Sequence, residues 1–269
     1  MKNVVIKNVA LFLILSFAFT MTIGCSNNYA ISMEEAYNIY YDTIQKFVPE
    51  LMTQPQECDI DIKTRDEVTF LNEHFVRNTT VKIQSQNTDG KLQYYLLNKF
   101  PEANKMNFYC IDNNKFYATS SSKMNGKGNL VEWSSLHIPS FLFAYLNTPF
   151  FEQDAITSFT SKRKSSDVEL TFVIDGSNME YGYPQRVMIE INPRLEDELD
   201  DVKIILTIDK DGIPKTMSTE ISMTILNDDG SLYAKKKLNM DFVFNALDTV
   251  DFDLQGVLSQ YALDPSVVK

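Results

Sequence analysis

The chain has 269 residues, with 25 Lys and Arg against 36 Asp and Glu, for a formal net charge of −11. That balance argues against nucleic-acid binding and against docking on anionic lipid through a polybasic patch, because both need clustered cations. At 44% hydrophobic and 12% aromatic, the chain can bury a sizeable core, and its length suits one domain of the larger all-β kind or two small ones.

Lys2 and Lys7 precede an uncharged stretch from Asn8 to Ile23, which contains the apolar run Val9 to Leu15 and ends in Thr22-Ile23-Gly24-Cys25. A positive start, a short apolar run and a small residue before the cut have the layout of a signal peptide. The run is shorter than the roughly 20 apolar residues of a membrane-spanning helix. With cysteine directly after Gly24, the stretch resembles the lipobox of a bacterial lipoprotein precursor, although Thr22 stands where leucine is usual. The resemblance implies cleavage between Gly24 and Cys25, with diacylglyceryl and fatty acyl (palmitate) groups attached at Cys25. Acyl chains contribute about 0.8 kcal/mol per buried CH₂, so two or three hold a protein firmly to a membrane. Residues 1–24 are therefore expected to be a signal peptide, 25–32 a tether and 33–269 a single domain, lipid-anchored on the extracytoplasmic side. Losing residues 1–24 removes only two charges, Lys2 and Lys7, and moves the balance from −11 to −13.

Ser32 offers a helix N-cap with Glu35 three residues on, a capping-box spacing. Met33, Ala36, Tyr37, Tyr40, Ile44, Phe47 and Val48 follow at helical spacing, and Pro49 ends the run. The opposite face is acidic, which favours packing on a sheet over lying on a membrane. After Pro55 the period changes to two. Val81 and Ile83, then Leu92, Tyr94 and Leu96, alternate across Asp89-Gly90, a strong hairpin signal. Met106, Phe108 and Cys110 predict another strand, with a turn at Asn113-Asn114, a return strand at Phe116 to Ala118 and a polar loop from Ser121 to Asn129.

Ile138 to Phe151 is the densest apolar cluster of the mature chain, and Pro139 and Pro149 limit it to one or two short helices, apolar all round and so expected to be buried. Alternation resumes at Val168, Leu170, Phe172 and Ile174, then at Val187 to Ile191. An acidic run, Glu196 to Asp201, reads as a solvated loop before Val202 to Ile208. Two strands of about a dozen residues follow, Met217 to Ile225 and Ala234 to Phe244, when five or six is usual. Tight turns are expected at Asp211-Gly212 and Asp228-Asp229-Gly230, and a short helix at Leu254 to Tyr261. Long antiparallel strands joined by hairpins predict an α+β, mostly antiparallel fold: a curved sheet or half-barrel with an N-terminal helix and a short buried helical insert.

Candidate chemistry is sparse. His74 and His137 stand in no recognisable nucleophile motif, and the acidic runs lack the spacing of a calcium loop, so neither an enzyme nor a metal or other cofactor is expected. Cys58 and Cys110 remain in a compartment where disulfides persist. A bridge between them is expected, with two separate buried thiols as the alternative.

The order of helix, hairpins, buried insert and long strands resembles the half-barrel of the LolA, LolB and LppX-like lipoprotein carriers, over roughly residues 33 to 245. The resemblance rests on element order, since no signature residue of that family can be matched here. It implies a curved sheet closing over short helices with space for acyl chains between them. The residues expected to line that space are Phe141, Phe143 and Leu146 of the insert, with Met217, Ile221, Met223, Phe242 and Phe244 on one strand face. A lipid or other hydrophobic ligand is the partner so implied. The alternative is a non-enzymatic surface interaction or structural module, an adhesin or an accessory with an envelope protein partner.

Overall fold

Ser32 caps the first helix as its spacing predicts: its side chain accepts from the Glu35 amide at 3.1 Å, and the helix runs Met33–Gln45. In the computed structural model the described residues are 31–46, 57–112, 115–123, 131–133, 151–178, 195–247, 250 and 253–260. Cys25, Phe141, Phe143, Leu146 and the strand expected at Val187 to Ile191 lie outside them. The chain divides into two units after Ile31, and every described element belongs to the second, Ser32–Lys269.

Twelve strands are described, joined in one sheet: β1 (Cys58–Phe70), β2 (Glu73–Thr88), β3 (Lys91–Phe100), β4 (Lys105–Asp112), β5 (Lys115–Lys123), β6 (Val131–Trp133), β7 (Ile156–Lys164), β8 (Asp167–Ile174), β9 (Leu195–Leu199), β10 (Val202–Ile208), β11 (Pro214–Asn227) and β12 (Leu232–Ala246). Their order is β6-β5-β4-β3-β2-β1-β12-β11-β10-β8-β7, with β9 also paired to β11. The sheet is open, curved and antiparallel. The first six strands meander one way from β1 and the later ones return toward it, so the first and last strands pair and join the two halves.

Period-two burial follows from the sequence alternation. In β8, β10 and β11 the residues Val168, Leu170, Phe172, Ile174, Val202, Ile204, Leu206, Ile208, Met217, Ile221, Met223 and Ile225 are all buried. Register places them on one face, here called inner, together with Phe242 and Phe244 of β12 and Ile60 and Ile62 of β1. The N-terminal helix packs on this face: Tyr40 lies 6.0 Å from Phe172 and 5.0 Å from Phe151, ring centre to ring centre. On the outer face, Tyr95, Leu97, Phe108, Cys110 and Tyr117 cluster with Leu254 and Leu258 of the short C-terminal helix Leu254–Gln260. Strand β3 is thereby buried on both faces.

Four expectations need correction. Cys58 and Cys110 are two separate buried thiols, with no disulfide between them. Cys58 shares the inner face with Ser85, Tyr94 and Ile111, so Cys110 faces the other way, three strands off. That is about 14 Å at usual strand spacing, well beyond the reach of a disulfide. The acidic run is not a loop but strand β9, set against β11. One extra residue around Asp200-Asp201 separates it from β10 on the same partner, a β-bulge. Gly176 fits against that bulge, where a Cβ would come within 2.3 Å of the Asp200 carbonyl. Ile156–Lys164 is a strand where none is expected, and β5 runs through to Lys123, into the expected polar loop.

Candidate binding site on the inner face

The inner face changes character along its strands. At one end, Ile60, Ile83, Tyr94 and Leu96 are completely buried. Next comes a row in which Thr79, Thr64, Met240 and Thr219 stand opposite one another across four strands, with Phe100 one residue past the last β2–β3 pair, Thr80 with Lys99. Thr64, Thr79 and Thr219 are buried, as are Asn98 and Asp66 on the neighbouring rows. Beyond them the face opens, with Phe75 54% exposed and the Arg77 side chain 61% exposed. A buried apolar floor thus leads through a polar belt to an open rim.

The belt holds three buried polar atoms without a hydrogen-bond partner among the described residues: Asp66 Oδ1, Asn98 Oδ1 and Thr219 Oγ1. Folded proteins leave few such atoms, because each forfeits its hydration with no replacement. The other Asp66 oxygen is well served: Arg77 Nη2 donates to it at 2.8 Å and Lys236 Nζ lies 3.4 Å away. At the rim, Val76, Arg77, Phe100, Glu102, Lys105 and Asn107 line a cleft of about 490 Å³. Glu102 is occupied there, accepting from the backbone N–H and the side-chain amide of Asn78. A face that is apolar within, polar at its belt and charged at its rim has the chemistry to hold an amphiphile lengthwise.

Met217, Ile221, Met223, Phe242 and Phe244 all lie on this face and are buried, with Met217 directly opposite Phe242. Phe151, at the end of the apolar cluster read from the sequence, is buried against Tyr37 and Tyr40. Sequence reasoning missed the belt, because Thr64, Asp66, Thr79 and Asn98 are polar side chains at positions where alternation demands apolar ones. Their signal was available only as a broken pattern. His74 lies on the outer face, half exposed, beside Thr69 and Glu67. Among the described residues no three His, Cys, Asp or Glu side chains gather as a metal site would require.

The outer face carries one further polar cluster. Asp59 accepts from Lys82, Gln84 and Asn245, and the Tyr95 hydroxyl donates to Gln84 at 2.6 Å. Burial alone would raise the Asp59 carboxyl, but these hydrogen bonds and the Lys82 charge outweigh it and hold the group below its ordinary value. Every polar atom named there has a partner, which marks a structural network rather than a binding site.

Compared with protein-family models and with curated proteins, the chain matches none. Among solved structures it is similar to an outer membrane lipoprotein-sorting protein domain from Vibrio parahaemolyticus, at 10% identity over 86% of this chain and 99% of that one, with a TM-score of 0.29. It is also similar to MucB in complex with MucA, at 12% identity over 83% of this chain and 58% of that one, TM-score 0.29. A LolA superfamily protein from Nitrosomonas europaea shares 7% identity over 81% of this chain and 94% of that one, TM-score 0.25. Function is therefore read from the chain's own residues.

Proposed function

We propose that this chain is an extracytoplasmic lipoprotein of the cell envelope, tethered to the membrane through Cys25, that binds or carries a lipid or other hydrophobic ligand without acting on it chemically. The observation that carries the reading is the graded inner face, where a wide apolar floor passes unpaired buried acceptors before it meets solvent. A plain core would have no use for those acceptors, since apolar residues of similar shape would avoid their desolvation. The tether rests on the Gly24-Cys25 lipobox.

The reading is tested on protein isolated from its own membranes. Intact-mass analysis should show a chain that begins at Cys25 with a diacylglyceryl adduct, and Cys25→Ala should release the protein or leave it unprocessed. Organic extraction should separately yield a non-covalent lipid. An unmodified soluble product would remove the tether from the proposal, and an empty extract with no uptake of oleyl alcohol would remove the ligand. The second reading, a surface interaction module, finds support in Leu71 and Leu232, 75% and 56% exposed at neighbouring hairpin ends.

A further inference from the structure

The rim departs from the charge of the chain as a whole. In a protein with a net charge of −11, the inner-face register brings Arg77, Lys105 and Lys236 to one end of the sheet, where Asp66, Glu73 and Glu102 match them in number, so this end does not share the acidic excess of the chain. Asp66 already bonds Arg77 and Lys236, and Glu102 is taken up by Asn78. Lys105 is exposed and makes no hydrogen bond or ion pair among the described residues.

Arg77 has capacity to spare. A guanidinium carries five N–H donors, and the bond to Asp66 uses Nη2 while most of the side chain remains in solvent. Beside these cations, Phe100 lines the rim cleft as the register partner of Lys105, one residue past the end of the β2–β3 pairing. A polar group held at Arg77 and Lys105 would therefore have Phe100 beside it and, past the threonines of the belt, the buried apolar floor.

We infer that the rim receives the anionic head of an amphiphile, a carboxylate or a phosphate held by Arg77 and Lys105, while its hydrocarbon tail lies along the inner-face rows. This rests on the hydrophobic-ligand reading and adds the sign and position of the head group. Asp66 does not repel such a head, because its charge is answered by Arg77 and Lys236. Its unpaired Oδ1 is left to accept from a hydroxyl of the head or from a water between them.

The test uses the full chain freed of bound lipid and three probes with one tail: oleate, oleyl alcohol and 1-oleoyl lysophosphatidate, at a pH where oleate is ionised. Oleate should bind roughly tenfold more tightly than oleyl alcohol, by one charge-assisted contact set, and added salt should narrow the difference. Lys105→Gln, which breaks no bond, should reduce the preference to about threefold or less and leave oleyl alcohol unchanged; Lys105→Arg should preserve it. Arg77→Gln should act in the same direction. Equal binding of oleate and oleyl alcohol by wild type, or equal weakening of both by Lys105→Gln, overturns the head-group assignment while the hydrophobic-ligand reading stands. Failure of all three probes overturns both. Tighter binding of lysophosphatidate than oleate points to a phospholipid source and the reverse to a fatty acid, and either result supports an anionic head.

Discussion

Asp59 and Asp66 stand on the same strand, face opposite ways and show what each face does. Asp59 has every need met by Lys82, Gln84 and Asn245, and its carboxyl is held below the ordinary range despite burial. A carboxyl depressed on folding contributes stability that is fully present above its unfolded pKa, near 3.9, and lost as the pH falls through the lower folded value. Stability measured by urea unfolding should thus decline on acidification below about pH 4. Asp59→Asn should be less stable at neutral pH and show a flatter acid limb. An unchanged acid limb would mean that other carboxylates govern it. Asp66, by contrast, has one oxygen bound to two cations and the other unpaired, the mark of a residue with something left to bind. Cys58 teaches a third lesson. Burial pushes its thiol up to about 12, and its sulfur lies 3.1 Å from Ser85 Oγ. It stays neutral and behaves as a small core residue, which a cysteine count could not distinguish from half of a disulfide.

Among the elements, the β1–β2 hairpin departs furthest from ordinary turn chemistry. Leu71 and Asn72 form its turn at φ +47° and +67°, and Leu71 is 75% exposed. Asparagine tolerates that conformation, but a leucine Cβ crowds the following carbonyl. Leu71→Asn should therefore stabilise the protein by about 0.5–1 kcal/mol, read as a higher urea midpoint with an unchanged m-value. A loss instead would show that the exposed leucine has a partner on the chain. The same turn explains what the sequence concealed. Asp89-Gly90, Asp211-Gly212 and Asp228-Asp229-Gly230 announce their hairpins because glycine supplies the positive φ, and all three turns are present. Leu71-Asn72 carries no such glycine. In β1, alternation begins with Cys58, Ile60 and Ile62 but continues with Thr64 and Asp66, so the pattern dissolves where the belt starts. The acidic run was hidden for a similar reason. Its side chains suggest solvent, yet backbone pairing with β11 makes Leu195–Leu199 a strand at a bulge. The curved antiparallel sheet and the long final strands were legible because apolar alternation recurs along most of their length, and the first helix because Ser32 and an apolar stripe at helical spacing announce it.

At the scale of the molecule, the two faces of one sheet have separate tasks. The outer face of β3 to β5 is sealed by the C-terminal helix, whose Leu254 and Leu258 are buried against Tyr95, Phe108 and Tyr117. The inner face takes the N-terminal helix at Phe172 and grades from a buried floor to a charged rim at the β1–β2 end. Whether that floor also serves a ligand can be decided at Ile221, which lies on β11 opposite Leu238, 4% exposed. Replacing it by Trp adds a large ring toward the inner face. In a close-packed core such an insertion forces neighbours off their rotamers and destabilises by about 1–3 kcal/mol. In a face that shares its volume with a bound tail, the ring takes space the ligand would fill. On the proposed function, delipidated Ile221→Trp should lose less stability than the close-packed case, while its organic extracts contain less lipid than those of wild type. Thermal unfolding of both delipidated proteins, read beside mass spectrometry of the extracts, makes the comparison. A full loss of about 1–3 kcal/mol, with no lipid recovered from either protein, would return the inner face to the role of a solid core and leave its rim as the part open to a partner.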